Sequence, residues 1–138
     1  MLFEQIALAT NQARDLCNYP GSKATPTFLA RTARAISRKS GLRCRVIDEA
    51  GMRRLGMGAL LGVSAGSSEP ARFIIMEHKK RAGSRPLVLV GKGVTFDSGG
   101  ISLKSSAGME DMKFDMAGAA AVIGAMQAIS TLDLPAFV

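Results

Sequence analysis

The sequence has 138 residues, 47% hydrophobic and 21% charged, with no Trp, one Tyr and a formal net charge of +7. That is one domain's worth of chain, enough for a sizeable core, and no apolar run approaches the ~20 residues that span a bilayer. The start carries Glu4 and no basic n-region, which argues against a secretory leader. Cys17 and Cys44, alone in apolar patterns, read as reduced core residues of a cytoplasmic protein.

In chain order, Phe3, Ile6, Ala9, Ala13 and Leu16 recur at three- and four-residue steps, predicting a helix over 2–19 that Pro20-Gly21 ends. Thr25-Pro26 has the form of an N-cap followed by Pro at the first helical position. The next helix should bury Phe28, Leu29, Ala33 and Ile36 and show Arg31, Arg34 and Arg38, with Gly41 as its C′ residue. "LRCRVID" (42–48) alternates like a strand with one wet face, and Asp48 should cap a short helix, "EAGMRRLG". A Gly-rich segment (56–70) leads to a strand over 71–80 and a turn, "RAGSR". "PLVLVGKG" (86–93) reads as a fully buried strand. "KFDMAGAAAVIGAMQAIS" (113–130) predicts a long helix of small residues, and "LPAFV" opens another apolar strand. This order predicts an α/β fold, a mixed or parallel sheet flanked by helices. A core strand at the very end makes an incomplete, C-terminally truncated domain the expectation.

Charge is unevenly spread. Residues 1–90 carry 15 Lys/Arg against 6 Asp/Glu, and residues 91–138 carry 3 against 5. A pI near 10.0 is compatible with nucleic acid as a partner. Yet aromatic interleaving, zinc-finger spacing and RNA-binding signatures are absent, so a solvated basic face is the simpler reading.

The acids gather around "GKGVTFDSGGISLK" (91–104), which follows the carboxyl end of the apolar run, where α/β folds place their ligand sites. Gly99-Gly100 permits a sharp turn. Asp97 could merely cap that turn, and Asp111 suits the start of the next helix. Asp115 is harder to explain as surface, because it stands at the mouth of a helix whose Gly118-Ala121 face allows close packing. Loop and helix start would bring Asp97 near Asp115. Two close carboxylates need a cation or a proton between them, and oxygen ligands from two segments suit Mn²⁺, Mg²⁺ or Zn²⁺. A lysine there either pairs with a carboxylate or loses its proton and donates nitrogen. His78, the only histidine, reads as an exposed strand-end residue, so a His/Cys zinc site is excluded by count.

"VGKGVTFDSGGISLK" followed by "MEDMKFDMAGAAAV" resembles the leucyl aminopeptidase (cytosol aminopeptidase) family of two-metal peptidases. "ARDLCNYPGSKATPTFLA" and "LGMGALLGVSAGSSEPARFIIMEH" resemble that family's stretches in the same order. The resemblance covers the chain from residue 13 onward. It implies a helical lead-in (1–40) and the first part of a peptidase catalytic domain (41–138). It further implies Lys92 as a neutral-amine metal ligand, Asp97 bridging two metals and Asp115 on the same metal as Lys92. Lys104 would be the charged catalytic lysine that stabilises the oxyanion, and Met112 would line the pocket for the substrate's first side chain. The implied cofactors are two divalent ions, Zn or Mn. The implied substrates are peptides with a free N-terminus, and the implied assembly is a homo-oligomer, a hexamer in the complete enzyme.

In the family an Asn-Thr-Asp-Ala-Glu-Gly-Arg motif supplies a further Asp, a bridging Glu and an Arg that holds bicarbonate. No such motif occurs in this chain. The isolated polypeptide is therefore expected to bind metal weakly, to be inactive and to carry an apolar sheet edge that invites pairing. Two other functions fit the sequence less well. A basic module binding nucleic acid would show steep salt dependence. A phosphate binder would need the Walker pattern, which "GKGVTFDSGG" lacks.

Overall fold

The computed structural model describes residues 2–80 and 85–138, so most of the expected turn "RAGSR" lies outside the described residues. Among the described residues, five α-helices and two strands follow in the order α1 (Leu2–Asn18), α2 (Pro26–Ser40), β1 (Arg43–Ile47), α3 (Glu49–Arg54), α4 (Gly58–Ser64), β2 (Phe73–Glu77) and α5 (Ala117–Thr131). A 3-10 helix, Met109–Phe114, precedes α5. None of these helices is long and apolar enough to cross a membrane.

Local chemistry sets the boundaries. The Thr25 hydroxyl accepts from the Phe28 amide at 3.2 Å, with Pro26 opening α2, and Gly41 ends it at φ 76°. Asp48 Oδ1 accepts from the Gly51 amide at 2.8 Å and so starts α3. The Gly-rich segment is more regular than its composition suggests, because seven of its residues form α4. The long helix expected from residue 113 begins at 117, since the residues before it wind into the tighter 3-10 turn.

The core forms where α1, α2 and α5 meet the sheet. Leu16, Leu29, Ala33, Ile36, Met116, Ala120 and Ile123 make its buried centre, with Phe28, Cys44, Ile74 and Met76 against it. Cys17 and Cys44 are free thiols, each half-buried, and burial pushes the Cys17 thiol up. The N-terminal part of the α1 stripe does not reach this core: Phe3 is 82% exposed, whereas Ala9 and Leu16 are buried. The fold class is mixed α/β. Its hydrogen-bonded sheet is the antiparallel pair β1–β2, in the register Arg43↔Glu77 through Ile47↔Phe73.

Two expectations are corrected. Residues 86–90 are exposed rather than buried, Val90 at 90%. Among the described residues, Leu87 alone of these five has a main-chain partner, donating to the Phe137 carbonyl at 2.9 Å, so no ladder of described residues covers the run. His78 is buried, not exposed. Its Nε2 lies 2.8 Å from the Leu134 carbonyl oxygen, which can only accept, and its main chain exchanges two bonds of 2.9 Å with Val138.

Candidate metal centre

The centre is assembled by one close backbone contact and one tight turn. The run 86–90 ends at Gly91, which lies directly on the first turn of α5. A Cβ on Gly91 would fall 2.4 Å from the Gly118 carbonyl oxygen, and one on Gly118 would fall 2.8 Å from the Lys92 nitrogen. With both side chains absent, the Ala119 amide donates to the Lys92 carbonyl at 2.8 Å. Lys92 is thereby fixed against the helix start, next to Asp115, which closes the 3-10 helix with its amide on the Met112 carbonyl at 3.1 Å.

The Lys92 ammonium meets Asp115 Oδ1 at 2.8 Å, with the Asp115 side chain only 17% exposed. Asp115 Oδ2 is buried and has no hydrogen-bond partner among the described residues. That bond, with the negative charges of Asp115 and Asp97, holds the Lys92 pKa above the ordinary lysine value despite some desolvation. As described, Lys92 is an ammonium paired to a carboxylate. Its neutral-amine form requires something that displaces the proton.

The turn places the other pair. Gly99 sits at φ 93°, and a Cβ there would fall 2.3 Å from the Ser102 carbonyl oxygen, so any side chain would clash as well as strain the backbone. Around it the Lys104 amide donates to the Ser98 carbonyl at 3.0 Å, and the Gly99 amide donates to Asp97 Oδ1 at 2.9 Å. The Lys104 ammonium then reaches Asp97 Oδ2 at 2.9 Å and the Met112 sulfur at 3.0 Å. The Lys104 hydrogen bond, the Gly99 amide and the charges of Lys104 and Lys92 hold the Asp97 carboxyl below its ordinary range. Met112 joins the two ion pairs in one cluster: its sulfur accepts from Lys104 and its carbonyl from the Asp115 amide.

All five residues singled out in the sequence, Lys92, Asp97, Lys104, Met112 and Asp115, fall in this cluster. Among the described residues, no group of three or more His, Cys, Asp or Glu side chains could hold a metal ion. The donor set this chain offers is two carboxylates and one amine. It fits part of a hard or borderline cation's shell, and the orphaned Oδ2 of Asp115 is the atom that lacks a partner without one. Such an orphan is costly in a buried carboxylate. The joint between Gly91 and Gly118 was only half legible: the small-residue face of α5 pointed to it, but its partner in the "VGKG" stretch did not.

Comparison with known proteins follows the same residues. The model of the cytosol aminopeptidase family, catalytic domain, matches residues 11–138. Proteins named "Probable cytosol aminopeptidase" are 50% identical over 132 residues in Thioalkalivibrio sulfidiphilus (strain HL-EbGR7) and 52% identical over 130 residues in Alkaliphilus metalliredigens (strain QYMF). Each alignment covers 94% of this chain, but the chain spans only about a quarter of these relatives' length (27% and 26%). Among solved structures, the bottromycin maturation enzyme BotP in complex with Mn superposes with a TM-score of 0.85 at 43% identity. That match covers 97% of this chain and 29% of BotP.

Proposed function

The chain belongs to the cytosol aminopeptidase family, and from that premise we propose that it supplies one half of the metal centre of a metal-dependent aminopeptidase. Lys92, Asp97 and Asp115 would hold divalent metal, with Mn favoured over Zn because BotP is a Mn complex. The observation that carries this reading is the buried, partnerless Oδ2 of Asp115 beside Lys92. When bound, a pair of such ions supplies a water of lowered pKa and a Lewis-acidic hold on the substrate.

The chain's own residues do the rest. The Lys104 ammonium would supply positive charge to the scissile carbonyl oxygen as negative charge collects there. Asp97 holds the Lys104 side chain in place through a 2.9 Å hydrogen bond. The Met112 thioether, flexible and apolar, forms a wall that adapts to the first side chain of a peptide. Hydrolysis adds the water oxygen to the carbonyl carbon, breaks the C–N bond and leaves a proton on the departing amine. The substrates proposed are peptides with a free N-terminus, the assembly a homo-oligomer (a hexamer), and the location the cytoplasm, in keeping with the relatives' names.

Because the chain spans about a quarter of its relatives, the test places it in a full-length frame. Residues 11–138 replace the matching stretch of the Thioalkalivibrio sulfidiphilus protein, and leucine amide hydrolysis is followed with added Mn²⁺. The chimera should turn over, and Lys104→Ala and Asp97→Ala should each lower kcat at least ~100-fold, the scale of losing one oxyanion-stabilising group. An active chimera indifferent to both substitutions would overturn the proposal.

A further inference from the structure

The bonds among Asp97, Gly99 and Lys104 shape their turn from within, but they do not determine where it stands relative to Lys92 and Asp115. Upstream, the loop is tied to α5 at Lys92, whose carbonyl accepts from the Ala119 amide. The next main-chain bond is at Ser98, inside the turn itself. Between these two points, residues 93–97 make no main-chain hydrogen bond among the described residues. The segment that delivers the Asp97 carboxylate therefore depends on what it packs against.

It packs against the connection between α1 and α2. A Cβ on Gly21 would fall 3.2 Å from Phe96 Cβ, 3.3 Å from the Thr95 carbonyl oxygen and 3.6 Å from Phe96 Cδ2. The Gly21 backbone thus lies against the two residues that precede Asp97. Gly21 is not among the glycines with positive φ, so space rather than conformation calls for glycine here. The connection itself is stiff. The Lys23 and Ala24 amides both donate to the Pro20 carbonyl, at 2.8 and 2.9 Å. The Tyr19 ring meets Phe28 edge-on with centroids 5.6 Å apart, and the Lys23 ammonium lies 3.7 Å from the Tyr19 ring centre. Ala24 is fully buried. Both flanking helices are fixed in the core, α1 through Leu16 and α2 through Leu29.

We propose that Gly21 is a positioning residue of the metal centre: the connection between α1 and α2 acts through Thr95 and Phe96 to set where Asp97 stands relative to the Lys92–Asp115 pair. This inference rests on the reading of Lys92, Asp97 and Asp115 as metal ligands. A metal shell accepts its ligands only within about 0.2 Å of their proper distances. A side chain at Gly21 would push the loop by more than that, since its Cβ alone is already tighter than an ordinary contact of 3.4–4 Å. Contacts that orient a ligand from outside the shell are worth about 10–100-fold in metal affinity.

Two variants break the contact from opposite sides. Gly21→Val pushes on Thr95 and Phe96, whereas Phe96→Ala withdraws the ring and, because Phe96 is 44% exposed, spares the core. Mn²⁺ affinity of the whole chain is read from the electron paramagnetic resonance signal of free Mn²⁺. A second readout needs no metal: the NOE between the Met112 methyl and the Lys104 ε-methylene, which spans the turn and the 3-10 helix where ammonium and sulfur meet at 3.0 Å. Both variants should weaken Mn²⁺ binding about 10-fold or more and weaken that NOE, while the methyl shifts of Leu16 and Ile123 in the core stay in place. Unchanged affinity in either folded variant would overturn the proposal. So would core shifts as large as those at the centre, which would mean that Gly21 serves only the fold. If Gly21→Val does not fold, Phe96→Ala alone decides. A wild-type chain that takes up no Mn²⁺ would sink the metal reading itself, and this inference with it, before either substitution is made.

Discussion

Substituting Gly91 by Ala tests the joint that brings Lys92 to Asp115. The added methyl would lie 2.4 Å from the Gly118 carbonyl oxygen and 2.6 Å from its carbon, against an ordinary contact of 3.4–4 Å. Both neighbours are backbone atoms in the first turn of α5, so neither can swing aside as a side chain would. The two segments must part by about 1 Å. Overpacking of this kind costs about 1–3 kcal/mol, and stretching the bond from the Ala119 amide to the Lys92 carbonyl forfeits about 1 kcal/mol more. A loss of about 2–4 kcal/mol corresponds to a Tm drop of roughly 6–15 °C for a chain this size. Thermal unfolding followed by circular dichroism reads it directly. Gly58→Ala is the control, because a Cβ there meets nothing within 4 Å. If Gly91→Ala and Gly58→Ala melted within ~0.5 kcal/mol of each other, the close approach of the loop to α5 would not exist.

Other expectations follow from the same geometry. Leu16 is fully buried between α1 and the core, so Leu16→Ala should cost about 2–5 kcal/mol, read in urea as a lower midpoint at unchanged m. Thr25→Ala removes the side-chain cap of α2 and should cost about 1 kcal/mol in the same assay. The Asp97 carboxyl titrates below its ordinary range because of Lys104, so the stability it contributes is full above the unfolded-state pKa of about 3.9 and is lost as pH falls through the lowered folded value. ¹³C titration of that carboxyl should show the depression, and Lys104→Met should raise the value; a pKa unmoved by Lys104→Met would contradict the pairing. Lys92 has the opposite sign: its pKa is raised, so its contribution is full below the ordinary lysine value and vanishes as pH rises through the folded one.

What was legible in the sequence is what depends on neighbours in the chain. Thr25-Pro26, Gly41 and Asp48 act within three or four residues, and each caps where its type predicts. The "TFDSGG" turn is similarly self-contained, since the Asp97, Gly99 and Lys104 contacts close over eight residues. The pairing of Lys92 with Asp115 spans two elements, yet the small residues Gly118–Ala121 announced that a loop would pack there. The exposure of the 86–90 run was not legible, because an apolar run is buried only by what pairs on its edges and covers its faces. Nothing in "PLVLV" itself states that neighbour. His78 failed for a related reason. Its polar ring suggested solvent, but its burial is set by the Leu134 carbonyl, 56 residues away.

The central claim, that Lys92, Asp97 and Asp115 converge to hold a divalent cation, is tested most directly by calorimetric titration of Mn²⁺ into the chain at pH 7. Two buffers of different ionisation enthalpy report the protons released. The account predicts saturable binding with about one proton released, as Lys92 exchanges its ammonium proton for the metal, and loss of binding in Asp115→Asn. Binding without proton release, or binding unchanged in Asp115→Asn, would contradict it.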